Sequence, residues 1–232
     1  MTVVKLMLIA ALGVALVHGP AHLFAKSNQY HRVHNNSTMT KGSGDLITQT
    51  RTTEAFQRIE TNLGIDLKVE VGKAQSITIT FDDNLIDFVR TESDGKTLTI
   101  DTDESFSTRN DVQVVITVPE LDLVNSEGSG TIDIVNIASK RFRAIISGSG
   151  ELTATGKTDQ LEIEINGSGD VRTDELIANE VTVVINGSGS AEVNAVEMLE
   201  GEINGSGDIL YIGKPENVHS SVNGSGSIRK RK

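Results

Sequence analysis

Ile165-Asn166-Gly167-Ser168-Gly169-Asp170-Val171 decides the fold, because variants of it recur to the end of the chain. Gly-Ser-Gly starts at Gly128, Gly148, Gly167, Gly187, Gly205 and Gly224, at intervals of 20, 19, 20, 18 and 19 residues. An isolated earlier copy starts at Gly42. A fixed period this short marks a solenoid, a coil of near-identical rungs stacked along one axis. Two positions before the last five copies stand Ile146, Ile165, Ile185, Ile203 and Val222. Four positions after the first glycine of each copy stand Ile132, Leu152, Val171, Ala191, Ile209 and Ile228. Each corner thus joins two short strands, and each strand has a fixed inward position.

Upstream of the corners the alternation has period 2. Leu161, Ile163 and Ile165 interleave with Glu162 and Glu164, and Val181, Val183 and Ile185 with Thr182 and Val184. This is the pattern of a half-buried strand. A strand in such a coil buries its inward row by stacking on the next rung, about 4.8 Å away. Glycine suits the corner because it reaches positive φ freely and lets neighbouring backbones approach closely. Asn166, Asn186, Asn204 and Asn223 precede the last four corners, so their amides are expected to hydrogen-bond from rung to rung as a ladder.

Rival readings of the motif are weaker. A calcium-binding repeat needs an acid in every copy, whereas the residues after the corners are Thr131, Glu151, Asp170, Ser190, Asp208 and Ser227. A phosphate loop needs a following helix, and strands follow here. The Asn-Gly-Ser matches to a glycosylation acceptor are explained by the repeat itself.

Leu6 to Val17 is almost wholly apolar, follows Lys5, and precedes small residues at Ala21 and Ala25. Residues 1–25 therefore read as a secretory signal cleaved near Ala25, with a retained anchor as the alternative. The chain has no Cys, which excludes disulfides, thiolate chemistry and lipid attachment at cysteine. Residues 26–41, with His31 and His34, read as a flexible polar leader, and a metal site from these two His is a minor alternative.

Residues 42–125 carry strands at less regular spacing. Ile65, Leu67, Val69 and Val71 form one alternating row; Ile77, Ile79 and Phe81 form another; Val112, Val114, Ile116 and Val118 form a third. Asn84 to Thr91 reads as one or two helical turns, and Asp94-Gly95 as a tight turn. The region is expected to be longer, looped rungs of the same coil or a β-rich cap on its end. Residues 126–228 are the regular rungs, and 229–232 a basic tail that blocks further strand pairing.

The order Gly42-Ser43-Gly44-Asp45, Arg51, Phe56-Gln57-Arg58-Ile59, Gly64 to Val71, Asn84-Leu85, Leu98-Thr99-Ile100 and then the repeated corners resembles the bacterial family of putative auto-transporter adhesins, head GIN domain. The resemblance spans about residues 42–228. It implies an all-β, right-handed parallel β-helix exported by bacteria, placed in the periplasm, on the outer membrane surface or outside the cell.

Between residues 42 and 228 there are 13 Lys and Arg against 32 Asp and Glu, a charge of −19. A field of that sign disfavours nucleic acid and anionic lipid. No His lies between His34 and His219, so Ser-His-Asp, Cys-His and His-rich zinc chemistry have no residues to use. Carboxylate chemistry stays open, with Glu162, Glu164, Asp170, Asp174, Glu175 and Asp208 as the residues to watch. The sequence therefore favours a non-catalytic exported protein with no cofactor, which binds a glycan or a cell-surface protein and self-associates through exposed rung ends. A polysaccharide-active enzyme and a purely structural envelope protein are the alternatives.

Overall fold

A computed structural model describes residues 39–231. The signal reading of residues 1–25, most of the leader, and His31 and His34 lie outside the described residues. Strand is almost the only regular structure among the described residues, and most strands run parallel to their neighbours.

The first strands are β1 (Thr40–Lys41), β2 (Leu46–Arg51), β3 (Arg58–Thr61), β4 (Ile65–Val71) and β5 (Ser76–Asp82). They are followed by β6 (Arg90–Ser93), β7 (Thr97–Asp101), β8 (Phe106–Ser107), β9 (Val112–Val118) and β10 (Leu123–Ser126). Four long strands come next: β11 (Thr131–Gly148), β12 (Glu151–Gly167), β13 (Asp170–Gly187) and β14 (Ser190–Gly205). The chain ends with β15 (Asp208–Gly213), β16 (Asn217–Gly224) and β17 (Ser227–Lys230).

Each long strand is one rung and bends twice. In β11 the first bend lies between Ile134 and Ile137, where Asn136 adopts φ 65°. The second skips Lys140, between the paired positions Ser139 and Arg141. The stacking is in register: Ile146 lies opposite Ile165, Ile165 opposite Ile185, and Ile185 opposite Ile203. All four are fully buried. A second file runs Leu67, Ile132, Leu152, Val171, Ala191 and Ile209, each buried. Together they make a β-solenoid with a dry aliphatic interior, in which each rung buries the apolar row of its neighbour.

Val222 departs from its expected place. It pairs with Ile203 in register, yet it is 40% exposed, because β16 belongs to the last rung and no strand covers its far side. The tail departs too: Arg229 and Lys230 extend β17 opposite Leu210 and Tyr211. Thr40 and Lys41, read as leader, form β1 beside Phe106 and Ser107.

Residues 42–125 combine both expected forms. β4 and β9 stack parallel under β11, and β10, β3 and β7 stack parallel under its second half. Beyond them the direction reverses. β5 is antiparallel to β9 and to β2, and β6 is antiparallel to β7. These strands cap the coil. The Asn84–Thr91 stretch makes one 3-10 turn, Ile86–Phe88, which buries Ile86. The early Gly-Ser-Gly at Gly42 is no rung corner; its loop docks on the end of β5, where Ser43 Oγ donates to Asp83 at 2.6 Å.

Candidate functional site

The corners are built by glycine twice over. Gly148, Gly167, Gly187, Gly205 and Gly224 have φ between 138° and 148°. A Cβ on Gly187 would sit 2.1 Å from the Gly167 carbonyl oxygen. That crowding exists because the corner backbones hydrogen-bond in file: Ser188 N donates to Gly167 O and Ser206 N to Gly187 O, both at 2.8 Å. Gly128, in the first corner, lacks the positive φ, but a Cβ there would meet Leu63 O at 2.6 Å.

The asparagines line one outward column. Asn186 Nδ2 donates to Asn166 Oδ1 at 2.9 Å, Asn204 Nδ2 to Asn186 Oδ1 at 3.1 Å, and Asn223 Nδ2 to Asn204 Oδ1 at 3.1 Å. Every amide donates in the same direction. At the N-terminal end Asn166 Nδ2 donates to Glu164 at 2.9 Å. This bond, with help from Arg143, holds the Glu164 carboxyl below the usual carboxylate range despite partial burial.

The acids singled out in the sequence are dispersed. Glu162 and Glu164 lie before the Gly167 corner, where Arg143 Nη2 is 2.8 Å from Glu164, and Arg141 and Arg143 flank Glu162 at 3.6 and 3.8 Å. Asp170 lies beyond that corner and accepts from Ser190 Oγ at 2.5 Å; Asp208 accepts from Ser227 Oγ at 2.6 Å. Asp174 pairs with Arg231 at 3.0 Å, and Glu175 is exposed. Among the described residues no group of three or more His, Cys, Asp and Glu is placed to hold a metal ion.

Two concave features stand on this frame. A hollow of about 500 Å³ lies in the cap, between the Lys41–Gly44 loop and Ser107–Asn110. Fully buried Asp82 ties these two segments together. It accepts from Thr108 Oγ1, from Asn110 Nδ2 at 2.7 Å and from Gly44 N at 2.8 Å. The Thr108 hydroxyl is the chief cause of its lowered pKa, outweighing burial.

The larger feature is an open groove of about 1120 Å³ along the second bend of the rungs. Arg58, Lys140, Arg141, Arg143 and Lys157 supply its cations. Glu120, Asp122, Asp159 and Glu162 supply its acids, and Ser139, Thr158, Gln160 and Asn179 its neutral polar groups. The sequence reading missed this groove. Its one signal is local: residues 140–157 hold four cations and a single acid, Glu151, within a 42–228 stretch whose net charge is strongly negative.

The fold is shared. The profile of the family "Putative auto-transporter adhesin, head GIN domain" matches residues 55–215. The chain belongs to that family. A structure described as a putative adhesin from Bacteroides fragilis is 23% identical, with a TM-score of 0.65, covering 82% of this chain and 99% of its own. A structure described as a putative lipid binding protein from Parabacteroides distasonis is 25% identical, with a TM-score of 0.56, covering 84% and 100%. A putative adhesin from Parabacteroides merdae is 23% identical, with a TM-score of 0.52, covering 84% and 99%. No curated protein matches significantly.

Proposed function

We propose that this chain is an exported, non-catalytic solenoid whose outward polar columns bind a surface component, a glycan or a cell-surface protein, in the bacterial envelope. The observation that carries the reading is the open polar groove on a stack of rungs held in register by interior files and an amide ladder. A rigid array of this kind presents side chains at fixed spacing, which lowers the ordering cost of binding an extended ligand. The apolar run Leu6–Val17 supports export, and membership of an adhesin family supports a surface role.

Support against bond cleavage comes from the carboxylates. Glu162, Glu164 and Asp174 face arginines, and Asp170 and Asp208 accept from serines, so each already has a structural partner. The lipid-binding name of the Parabacteroides distasonis relative suggests a rival ligand class. The interior here is filled by aliphatic side chains and the groove is polar, which favours glycan or protein over lipid.

The test is retention of the purified protein on envelope material and on a glycan array, alongside a cleavage screen on the same polysaccharides with and without calcium. Saturable binding with no cleavage is expected. Cleavage abolished by Asp170→Asn or Asp208→Asn would replace this reading with the enzymatic one.

A further inference from the structure

We infer that the groove at the second bend takes a carboxylate-bearing glycan, a saccharide with isolated uronate charges among free hydroxyls. Lys140, Lys157 and Arg58 receive the carboxylate. This deepens the surface-binding reading and rests on it.

The first ground is where the positive charge lies. Residues 39–231 hold 17 Lys and Arg against 32 acids, yet five of those cations line this one groove. At physiological salt, fields fade within about 8 Å, so a ligand in the groove feels its walls and not the acidic remainder. Further along the same side the rungs carry Glu180, Glu200 and Glu202, so the positive patch is confined to one end.

The second ground is that three of the cations are uncommitted. Arg90, Arg143, Arg172 and Arg231 each face one or more carboxylates. Among the described residues, Lys140, Lys157 and Arg58 have no carboxylate within 4.0 Å. Arg58 Nε is buried with no hydrogen-bond acceptor at all. Nε itself is closed to solvent, so a ligand in the groove would meet this uncommitted guanidinium through its terminal nitrogens. Guanidinium and carboxylate fit each other in plane, which makes this donor suited to a uronate.

The third ground sets the charge density of the ligand. Asp122 and Asp159 line the same groove and appear in no ion pair. A polyanion with a charge on every unit would run into both. Sugar hydroxyls would donate to them, and Gln160 and Asn179 can both donate to and accept from a sugar. Lys140, Asp159 and Asn179 are the positions skipped by the strand ladder at the bend, in three successive rungs. At about 4.8 Å per rung they span about 10 Å, the scale of a short oligosaccharide.

The experiment titrates the full chain with a xylan oligomer bearing a single glucuronate, with the unsubstituted neutral xylan oligomer of equal length, and with heparin. The K140Q/K157Q double variant is tested beside it; both side chains are exposed, and an unchanged melting temperature verifies its fold. The glucuronate-bearing oligomer should bind best, weaken with salt, and bind about tenfold less well to K140Q/K157Q. Equal binding by the variant, equal binding of the neutral oligomer, or a preference for heparin would each overturn the groove assignment while leaving the surface-binding reading intact. Failure to bind any of the three ligands, in a protein that still binds envelope material, would do the same. Absence of both kinds of binding would overturn the two readings together.

Discussion

The two halves of this molecule reach burial by different routes. From Thr131 to Gly205 one solution is repeated: the same residue types meet themselves across each interface, and a handful of glycines make every turn. From Thr40 to Ser126 no interface repeats. Antiparallel β2, β5 and β6 close the stack, Phe81 meets Phe106 edge-on at 5.4 Å, and the buried carboxylate of Asp82 ties the Gly44 and Asn110 loops together. The repeat spreads stability over many equivalent contacts, whereas the cap concentrates it in a few unlike ones. A lesion in the repeat should therefore act through stacking, and a lesion in the cap through chemistry.

The largest effect should come from glycines, and it should depend on region. Gly72, after β4, has φ 90°, and a Cβ added there would have nothing within 4 Å, so Gly72→Ala meets backbone strain alone and should cost about 1–2 kcal/mol. Gly187 adds a collision 2.1 Å from Gly167 O, so Gly187→Ala should cost more than about 3 kcal/mol. Denaturant unfolding of both variants reads the difference. Because each rung contacts only its neighbours, the Gly187 variant should also lose two-state behaviour, with the capped end outlasting the rungs beyond the lesion. Equal costs would mean that corner stacking contributes nothing beyond local φ.

The same contrast explains what could be read from the residues. The rungs were legible because a 19-residue period and a two-residue alternation repeat side by side, and chance does not align Ile146, Ile165, Ile185 and Ile203. Periodicity gives the inward position but not whether a neighbour exists to cover it, which is why Val222 is misplaced by the pattern. In the cap, alternation at Ile77, Ile79 and Phe81 marks a strand but not its direction, since in this molecule parallel β4 and antiparallel β5 both alternate buried and outward residues. Asp82 carries no signal, because its partners Thr108 and Asn110 lie 26 and 28 residues away. The groove is hidden for the same reason: Arg58 and Lys140 are 82 positions apart and meet only after the coil is wound.

Acid should separate the halves next. The Asp82 carboxyl titrates below its ordinary value in the folded chain, held there chiefly by Thr108. A lowered folded value means its stabilisation is fully present above about pH 4 and fades as pH falls through the folded pKa. Asp82→Ala leaves three donors unmatched in a buried site and should cost about 2–3 kcal/mol at neutral pH. Asp82→Asn keeps an acceptor oxygen for Gly44 and should cost less, while flattening the acid limb of the stability profile. An acid limb unchanged in Asp82→Asn would place the pH dependence elsewhere.

The smallest effect belongs to the amide ladder, and its position dependence is the sharpest probe of the repeat. Asn186 both donates to Asn166 and accepts from Asn204, so Asn186→Ala breaks two bonds. Asn223 only donates, so Asn223→Ala breaks one. The column is exposed, water replaces much of what is lost, and the expected costs are about 1 kcal/mol for Asn186 and about half that for Asn223. The two-to-one ratio is the informative quantity, because both residues precede equivalent corners and differ only in having a further rung above them. Hydrogen exchange at Ser188 and Ser206, whose amides bond across the same corners, would report the loss locally. If the ladder also fixes the register of the rungs, faster exchange in Asn186→Ala should spread to the Ser168 and Ser225 amides, one interface further out on each side; if each amide acts alone, it should stop at Ser188 and Ser206.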